Sequence, residues 1–170
     1  MIRIVLLGDS CSGKTDLFNV FIYDEKPHDS FICTITPSFG KYLDRYILYD
    51  TPGTLRWLNF AKPYIEVADA AIILYDEREE SVNKWKKILY EINGKEVPVL
   101  IVCTKTDAPN KQDNVLYIRL NENDLRAKFQ PFFDTLENNP KISIGWVEYV
   151  YLLFPKVEDV IDQIPGCSQQ

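Results

Sequence analysis

Histidine and paired cysteines are scarce in this sequence. The 170 residues include one histidine, His28, and four widely spaced cysteines, Cys11, Cys33, Cys103 and Cys167. One histidine argues against a histidine-based triad, and the absence of Cys-x-x-Cys or His/Cys clusters argues against a zinc site. We therefore expect reduced thiols, as in a cytoplasmic protein. The chemistry must come from other residue types.

Long apolar runs and an excess of basic residues are also lacking. No hydrophobic stretch is long enough to cross a bilayer, and the N-terminus lacks the layout of a signal peptide. The net charge of −6 argues against a nucleic-acid-binding surface, since such a surface needs clustered Lys and Arg. The chain is long enough for one substantial core, so one globular domain is expected.

The N-terminal residues carry a phosphate-binding pattern. An apolar run at 2–7 ends at Gly8, the spacing G-x-x-x-x-G-K-[ST] follows up to Thr15, and a helical pattern continues to 23. Strand, glycine loop and helix is the context in which this motif cradles phosphates. The Lys14 ammonium would contact β- and γ-phosphate oxygens, and the Thr15 hydroxyl would ligate Mg²⁺. The predicted nucleotide-binding residues here are Asp9, Ser10, Cys11, Ser12, Gly13, Lys14, Thr15 and Asp16.

Strands and helices alternate along the chain, which predicts an α/β fold with helices on both faces of a sheet. Pro131 is expected to kink or divide one helix. The predicted fold is a P-loop mononucleotide-binding domain with a mostly parallel six-stranded sheet, covering residues 1–164 before a short tail at 165–170. The predicted strands are 2–7, a hairpin within 39–49, 70–75, 97–103 and 141–144, and the predicted helices are 15–23, 81–92, 125–136 and one from 147.

Three loops after predicted strands carry residues suited to a nucleotide. Ligands of open parallel sheets bind beyond the carboxyl ends of the strands. In Asp-Thr-Pro-Gly, Asp50 would hold Mg²⁺ through water, and the Gly53 amide would donate to a γ-phosphate. In Thr-Lys-Thr-Asp, Asp107 would accept from the N1–H and exocyclic amine of guanine, a donor pair that adenine lacks. Gly145 would present backbone amides to the guanine oxygen.

In this order, the motifs resemble those of small GTPases of the Ras superfamily, most closely the Rab family. GDSCSGKT is similar to the Rab phosphate loop and DTPGTLRW to the Rab segment DTAGQERF. Residues 68–92 resemble the Rab pattern ADxxIIVYDxxxxxSFxxxxxWxxEI. TKTD stands in place of NKxD, as in Rho-type members, while Ser-Ile-Gly at 143–145 is a poor match to SAK. The resemblance covers residues 1–155.

The resemblance implies a molecular switch with GTP or GDP and Mg²⁺ as cofactors. Thr34 lies 20 positions after Lys14, where the first switch of the family supplies a threonine to Mg²⁺ and the γ-phosphate. Thr36 is the competing choice. The implied metal ligands are Thr15, Thr34 and Asp50, and the further nucleotide-binding residues are Thr34, Gly53, Thr104, Lys105, Asp107, Ser143, Ile144 and Gly145.

Three departures from the family pattern indicate a divergent member. Thr54 replaces the glutamine that orients the attacking water, so slow hydrolysis is expected, with Lys14 and a degenerate Thr54 as catalytic residues. The interval from Thr34 to Asp50 is shorter than in Rab proteins, so short hairpin strands are expected. The aromatic residue that packs on guanine lacks a clear counterpart, since Phe31 comes a few positions late.

Two other functions use the same motifs. A non-hydrolysing GTP-binding scaffold is favoured by Thr54. A P-loop nucleoside or nucleotide kinase shares the phosphate loop, but TKTD is typical of guanine binding and an arginine-rich lid segment is lacking.

The resemblance also implies partners and a location. Effector, exchange and activating proteins would bind the switch regions, where Trp57 is the best candidate for an apolar contact. Cys167 begins a C-terminal C-a-a-X box with polar middle positions and no polybasic segment before it. A cytoplasmic monomer is expected, lying on the cytosolic face of a membrane only if Cys167 is prenylated. The implied process is vesicle trafficking or signalling.

Overall fold

A six-stranded sheet with helices on both faces forms the centre of the structure. The computed structural model describes residues 1–27, 33–76, 78–104 and 114–139. Its elements are β1 (Ile2–Leu7), α1 (Lys14–Tyr23), β2 (Ser38–Tyr42), β3 (Tyr46–Asp50), a 3-10 turn (Leu55–Trp57), α2 (Leu58–Glu66), β4 (Ala70–Tyr75), α3 (Glu79–Asn93), β5 (Val99–Cys103), β6 (Val115–Tyr117) and α4 (Leu125–Glu137).

The strand order is β2-β3-β1-β4-β5-β6. Only β2 and β3 pair antiparallel within this sheet; the other neighbours are parallel. The chain leaves β1 toward β3 on one side and later returns to β4 on the other, so the strand order reverses at β1. At such a reversal, a crevice opens beyond the carboxyl ends of the strands. The topology therefore brings the loops after β1 and β3 together at the carboxyl ends of the strands. The predicted mostly parallel α/β fold is confirmed.

Side chains of β1 alternate between two cores, as expected for a strand buried on both faces. Ile4 and Leu6 join the cluster under α1 and α4, whereas Val5 and Leu7 join the cluster under α2 and α3. The first cluster is rich in aromatic rings, and the second contains the fully buried Trp85. Rigid packing on both faces fixes the end of β1, where the phosphate motif begins.

Three described elements were not predicted from the sequence: the 3-10 turn at Leu55–Trp57, α2 and β6. β6 has three residues, too few for a periodic pattern, and depends on its parallel pairing with β5. α2 is nine residues long and contains Pro63, and a proline in the interior of a run argues against a helix at the level of the sequence. The strand predicted at 141–144, the helix from 147 and the tail boundary at 165 lie outside the described residues.

Two details of the prediction need correction. Pro131 does not divide its helix, because α4 runs unbroken from Leu125 to Glu137. Phe129 and Phe133 are buried on either side of the proline, and this packing offsets the backbone hydrogen bond that a proline removes. The strand predicted from 97 begins at Val99, directly after Pro98, since proline has no N–H to donate to a sheet. None of the described helices is long and apolar enough to cross a membrane.

A buried ion pair joins β1 to the turn before β4. The Arg3 guanidinium donates from Nε and Nη2 to the two Asp69 oxygens at 2.9 and 2.8 Å. The Arg3 amide also donates to Asp69 Oδ2 at 2.9 Å, and the Asp69 amide donates to the Arg3 carbonyl at 2.8 Å. Both side chains are almost inaccessible, at 6% and 11% exposure. The pair therefore fixes the amino-terminal ends of β1 and β4, at the end of the sheet opposite the phosphate motif.

We expect Arg3→Met to lower the free energy of unfolding by about 3–5 kcal/mol, because the Asp69 carboxylate would stay buried without its partner. Urea denaturation followed by circular dichroism measures the change. Arg45→Met is the control, since the Arg45 side chain is 68% exposed in its pair with Glu137 and should lose about 1 kcal/mol or less. Equal losses in the two variants would contradict the structural role of Arg3.

Candidate functional site

The loop between β1 and α1 has a backbone shape that glycine makes accessible. Gly8 has φ +145°, and an added Cβ would lie 2.1 Å from the Leu74 carbonyl oxygen. Gly13 has φ +84° and is the N-cap of α1, without a side-chain cap among the described residues. The first amides of α1 therefore remain available to an anion, and the helix dipole adds positive potential there.

The Lys14 side chain folds back into this loop. Its ammonium donates to the carbonyl oxygens of Gly8 and Asp9, at 3.0 and 2.7 Å, and to Ser12 Oγ at 3.3 Å. Burial lowers the Lys14 pKa to about 8, although the nearby Asp50 and Asp9 charges act in the opposite direction. A buried cation whose three acceptors are neutral would be stabilised by an anion. This arrangement suits a phosphate group.

Three oxygen-bearing side chains meet beside Lys14. Thr15 Oγ1 donates to Asp50 Oδ2 at 2.8 Å and lies 2.8 Å from Thr34 Oγ1. Asp50 Oδ1 is buried with no hydrogen-bond partner among the described residues. Burial raises the Asp50 pKa, while the Thr15 bond and the Lys14 charge act against this. Thr36, the alternative to Thr34, is exposed.

These oxygens fit a magnesium ion. Mg²⁺ is usually held by one or two carboxylates together with waters and phosphate oxygens, and the free Asp50 oxygen supplies the carboxylate donor. The Thr15 and Thr34 hydroxyls are further oxygen donors. Within the described ranges, no group of three or more His, Cys, Asp or Glu side chains is arranged to hold a metal.

The Asp-Thr-Pro-Gly segment packs directly against the phosphate loop. An added Cβ on Gly53 would lie 2.5 Å from the Asp9 carbonyl carbon and from the Ser10 nitrogen. Thr54 Oγ1 lies 3.0 Å from Ser10 Oγ, so the two hydroxyls are hydrogen-bonded. Thr51 Oγ1 donates to the Leu6 carbonyl at 2.6 Å and fixes the start of the segment against β1.

The remaining predicted residues divide between described and undescribed segments. Thr104 follows β5, where its Cγ2 would lie 3.4 Å from a Cβ on Gly13, so it borders the phosphate loop. Asp16 lies in the first turn of α1, Ser12 is buried and Cys11 is exposed with φ +62°. The predicted residues Lys105, Asp107, Ser143, Ile144, Gly145 and Cys167 lie outside the described residues.

Sequence reasoning missed two neighbours of the loop. Leu120, after β6, has its Cδ1 2.6 Å from the position of a Gly13 Cβ. The apolar run VLYIRL at 115–120 was the available signal for this edge strand. A cavity of about 450 Å³ beside it is lined by the end of α1 and the start of α4, including Val20 and Arg126. The other neighbour is Trp85 of α3, whose indole N–H donates to the Asp9 carboxylate. In the sequence, the spacing of Trp85 indicated only that it belongs to a helix.

Comparisons with known proteins agree with this geometry. The family described as "Roc: Ras of Complex, Roc, domain of DAPkinase" matches residues 3–107, more than half of the chain. Among curated proteins, "Ras-related protein Rab-31" from Homo sapiens, Rattus norvegicus and Mus musculus is 28% identical over 117 residues. Each match covers 62% of this chain and 60% of the relative.

We expect Lys14→Ala to abolish binding of nucleoside di- and triphosphates, because it removes the charge-assisted contact to phosphate. Isothermal titration calorimetry with GDP and Mg²⁺ measures the affinity. Lys41→Ala is the matched control, since Lys41 is exposed on β2 and should bind as the wild type does. Tight GDP binding by Lys14→Ala would show that the phosphate-loop assignment is wrong.

Proposed function

The chain belongs to the Roc family of Ras-like small GTPase domains, and on this premise we propose that it is a guanine-nucleotide-dependent switch that binds Mg²⁺ and hydrolyses GTP slowly. The observation that carries the proposal is the buried Lys14 ammonium beside the convergence of Thr15, Thr34 and Asp50. A phosphate and a hard cation are the ligands for which this pairing of charges is suited. The chain spans 60% of the length of the Rab-31 relatives.

In the proposed bound state, Thr15, Thr34 and Asp50 would hold Mg²⁺. The ion would neutralise part of the negative charge of the phosphates. Thr34 lies in the segment before β2, so a ligand that engages its hydroxyl would order that segment. The Gly53 amide would donate a hydrogen bond to the γ-phosphate. Loss of that phosphate would release both the segment that contains Thr34 and the segment that contains Gly53. This is the order–disorder form of switching.

Base recognition is proposed for the loop after β5. Asp107 would accept the two guanine donors, with Thr104 and Lys105 beside it, and Ser143, Ile144 and Gly145 remain a prediction for the opposite side of the base. Leu120 and Asn121 are a second candidate for that side. They follow β6 at the same sheet edge, Leu120 adjoins Gly13, and both line the cavity of about 450 Å³.

Slow hydrolysis is proposed because of Thr54. Its side chain is shorter than glutamine and its hydroxyl is already bonded to Ser10 at 3.0 Å. It cannot present an amide to both a water and the γ-phosphate. Transition-state stabilisation would then depend on Lys14, Mg²⁺ and backbone amides. The same observation favours a second candidate function, a GTP-binding scaffold that does not hydrolyse.

Effector, exchange and activating proteins are proposed to bind the surface around the two switch segments. Exposed apolar side chains lie there on both segments, including Ile35, Leu55 and Phe60. The Trp57 and Phe60 rings lie 5.9 Å apart and form a small aromatic surface. A role in vesicle trafficking or signalling, the monomeric state and prenylation of Cys167 stay predictions.

Identification of the nucleotide that co-purifies with the protein tests the proposal. We expect GDP or GTP in about equimolar amount after denaturation and chromatography, since the proposed site would hold both the phosphates and Mg²⁺. Protein carrying Lys14→Ala, purified in parallel, should contain none. Adenine nucleotides in stoichiometric amount in the wild type would contradict guanine recognition and favour a P-loop nucleoside or nucleotide kinase.

We expect intrinsic GTP turnover at or below about 10⁻⁴ s⁻¹, the scale of an unassisted small GTPase. Thr54→Gln should raise it, because glutamine can orient the attacking water. Single-turnover phosphate release from GTP-loaded protein measures both rates, and Thr135→Gln, on the exposed face of α4, controls for the substitution itself. Fast turnover by the wild type would show that another residue positions the water, and no turnover in either protein would favour the scaffold.

A further inference from the structure

Helix α3 contacts the phosphate loop at the Asp9 carboxylate. The Trp85 indole Nε1 donates to Asp9 Oδ1 at 2.9 Å, and the Lys84 ammonium donates to the same oxygen. Trp85 is fully buried, and a buried indole N–H requires an acceptor. Asp9 provides that acceptor, so two adjacent residues of one helix fix the orientation of a side chain in the loop.

The backbone of Asp9 contacts two other parts of the site. Its carbonyl oxygen accepts from Lys14 Nζ at 2.7 Å and from the Ser12 amide at 3.3 Å. Gly53 packs on the same peptide, since an added Cβ would lie 2.7 Å from the Asp9 oxygen. A displacement of Asp9 would therefore move both the proposed phosphate-binding lysine and the glycine of the second switch segment.

The charge of Asp9 also requires compensation. A carboxylate in a loop that receives phosphate repels the ligand unless a cation offsets it. Burial raises the Asp9 pKa, but the α3 side chains Lys84, Trp85 and Ser81, together with the Lys84 charge, outweigh this and lower the pKa below its ordinary value. The carboxylate stays ionised, bonded to α3 and neutralised by Lys84.

We propose that Asp9 is a positioning residue through which Trp85 and Lys84 of α3 hold the phosphate loop in its nucleotide-binding shape. The inference rests on the proposed nucleotide binding and adds how that site is held. Asp9 acts through its own carbonyl oxygen on Lys14, and no contact between its carboxylate and the nucleotide is required. Any change that removes the donors on α3 should release nucleotide faster.

The competing explanation is that Trp85 only fills the core between α3 and the sheet. Trp85→Phe and Leu89→Ala separate the two in the full chain. Trp85→Phe keeps an aromatic ring and removes the N–H. Leu89 belongs to the same helix and core cluster and is 4% exposed, and it has no group that could bond to Asp9. Urea denaturation measures the stability of both variants. Stopped-flow measurement of the release rate of a fluorescent GDP analogue with Mg²⁺ shows how firmly the phosphate loop holds nucleotide.

We expect Trp85→Phe to release the GDP analogue about tenfold faster, as loss of one hydrogen bond to a charged acceptor implies. Leu89→Ala should unfold more readily yet keep the wild-type release rate. Lys84→Met should also accelerate release, whereas Lys87→Met should not, because Lys87 is 76% exposed and pairs with Glu91. Equal release rates in Trp85→Phe and Leu89→Ala would overturn the proposal.

A double-mutant cycle tests whether Trp85 acts through Asp9. On an Asp9→Ala background, Trp85→Phe should cause no further change in release, since the acceptor is already gone. The same acceleration on both backgrounds would overturn the role of Asp9. Failure of the wild type to bind the GDP analogue would overturn the proposed function and this inference together, whereas binding with unaltered release in Trp85→Phe overturns the inference alone.

Discussion

The burial of the Lys14 ammonium is the constraint on which the rest of the site depends. Taking this charge out of water is unfavourable, and the depressed pKa of about 8 reflects that cost. The loop compensates by turning the carbonyl oxygens of Gly8 and Asp9 toward the ammonium. That turn requires the positive φ of Gly8 and Gly13. The lysine thus lies inside the loop, beside the helix N-terminus, where an anion would complete the charge balance.

The sheet brings the remaining groups to this loop. β1 is buried between two cores, and its neighbours β3 and β4 hold the Asp-Thr-Pro-Gly segment and Leu74 against the loop. Asp50, the last residue of β3, reaches Thr15 of α1, and the segment before β2 brings Thr34 to the same point. The proposed binding of phosphate and cation would therefore involve three separate segments, and this would be the physical basis for a switch that senses the γ-phosphate.

This chain has the residues proposed for nucleotide binding but lacks the glutamine expected for catalysis. The residues proposed for phosphate and Mg²⁺ are in place, and Asp9 adds a support from α3 that fixes the loop. At the position expected to orient water, however, Thr54 is bonded to Ser10. In the proposed function, such a site would bind nucleotide and hydrolyse GTP slowly, so control by partner proteins would gain importance relative to intrinsic turnover.

The sequence alone determined the elements whose patterns are local and long: β1 and its glycine loop, the hairpin, the buried run at Ala70–Tyr75 and the amphipathic α3 and α4. It also predicted Lys14, Thr15 and Asp50 from motifs at fixed spacing, which need no tertiary information, and Thr34, with Thr36 as the alternative, from its distance after Lys14. The structure brings Thr15, Thr34 and Asp50 together, and the roles of these residues stay predictions. Only the tertiary structure decided that Val115–Tyr117 forms an edge strand of the sheet, that Pro131 stays within a helix, and that Leu120 and Trp85 border the loop. Those outcomes depend on pairing and packing between residues far apart in sequence, such as Asp9 and Trp85, and a periodic pattern carries no information about such contacts.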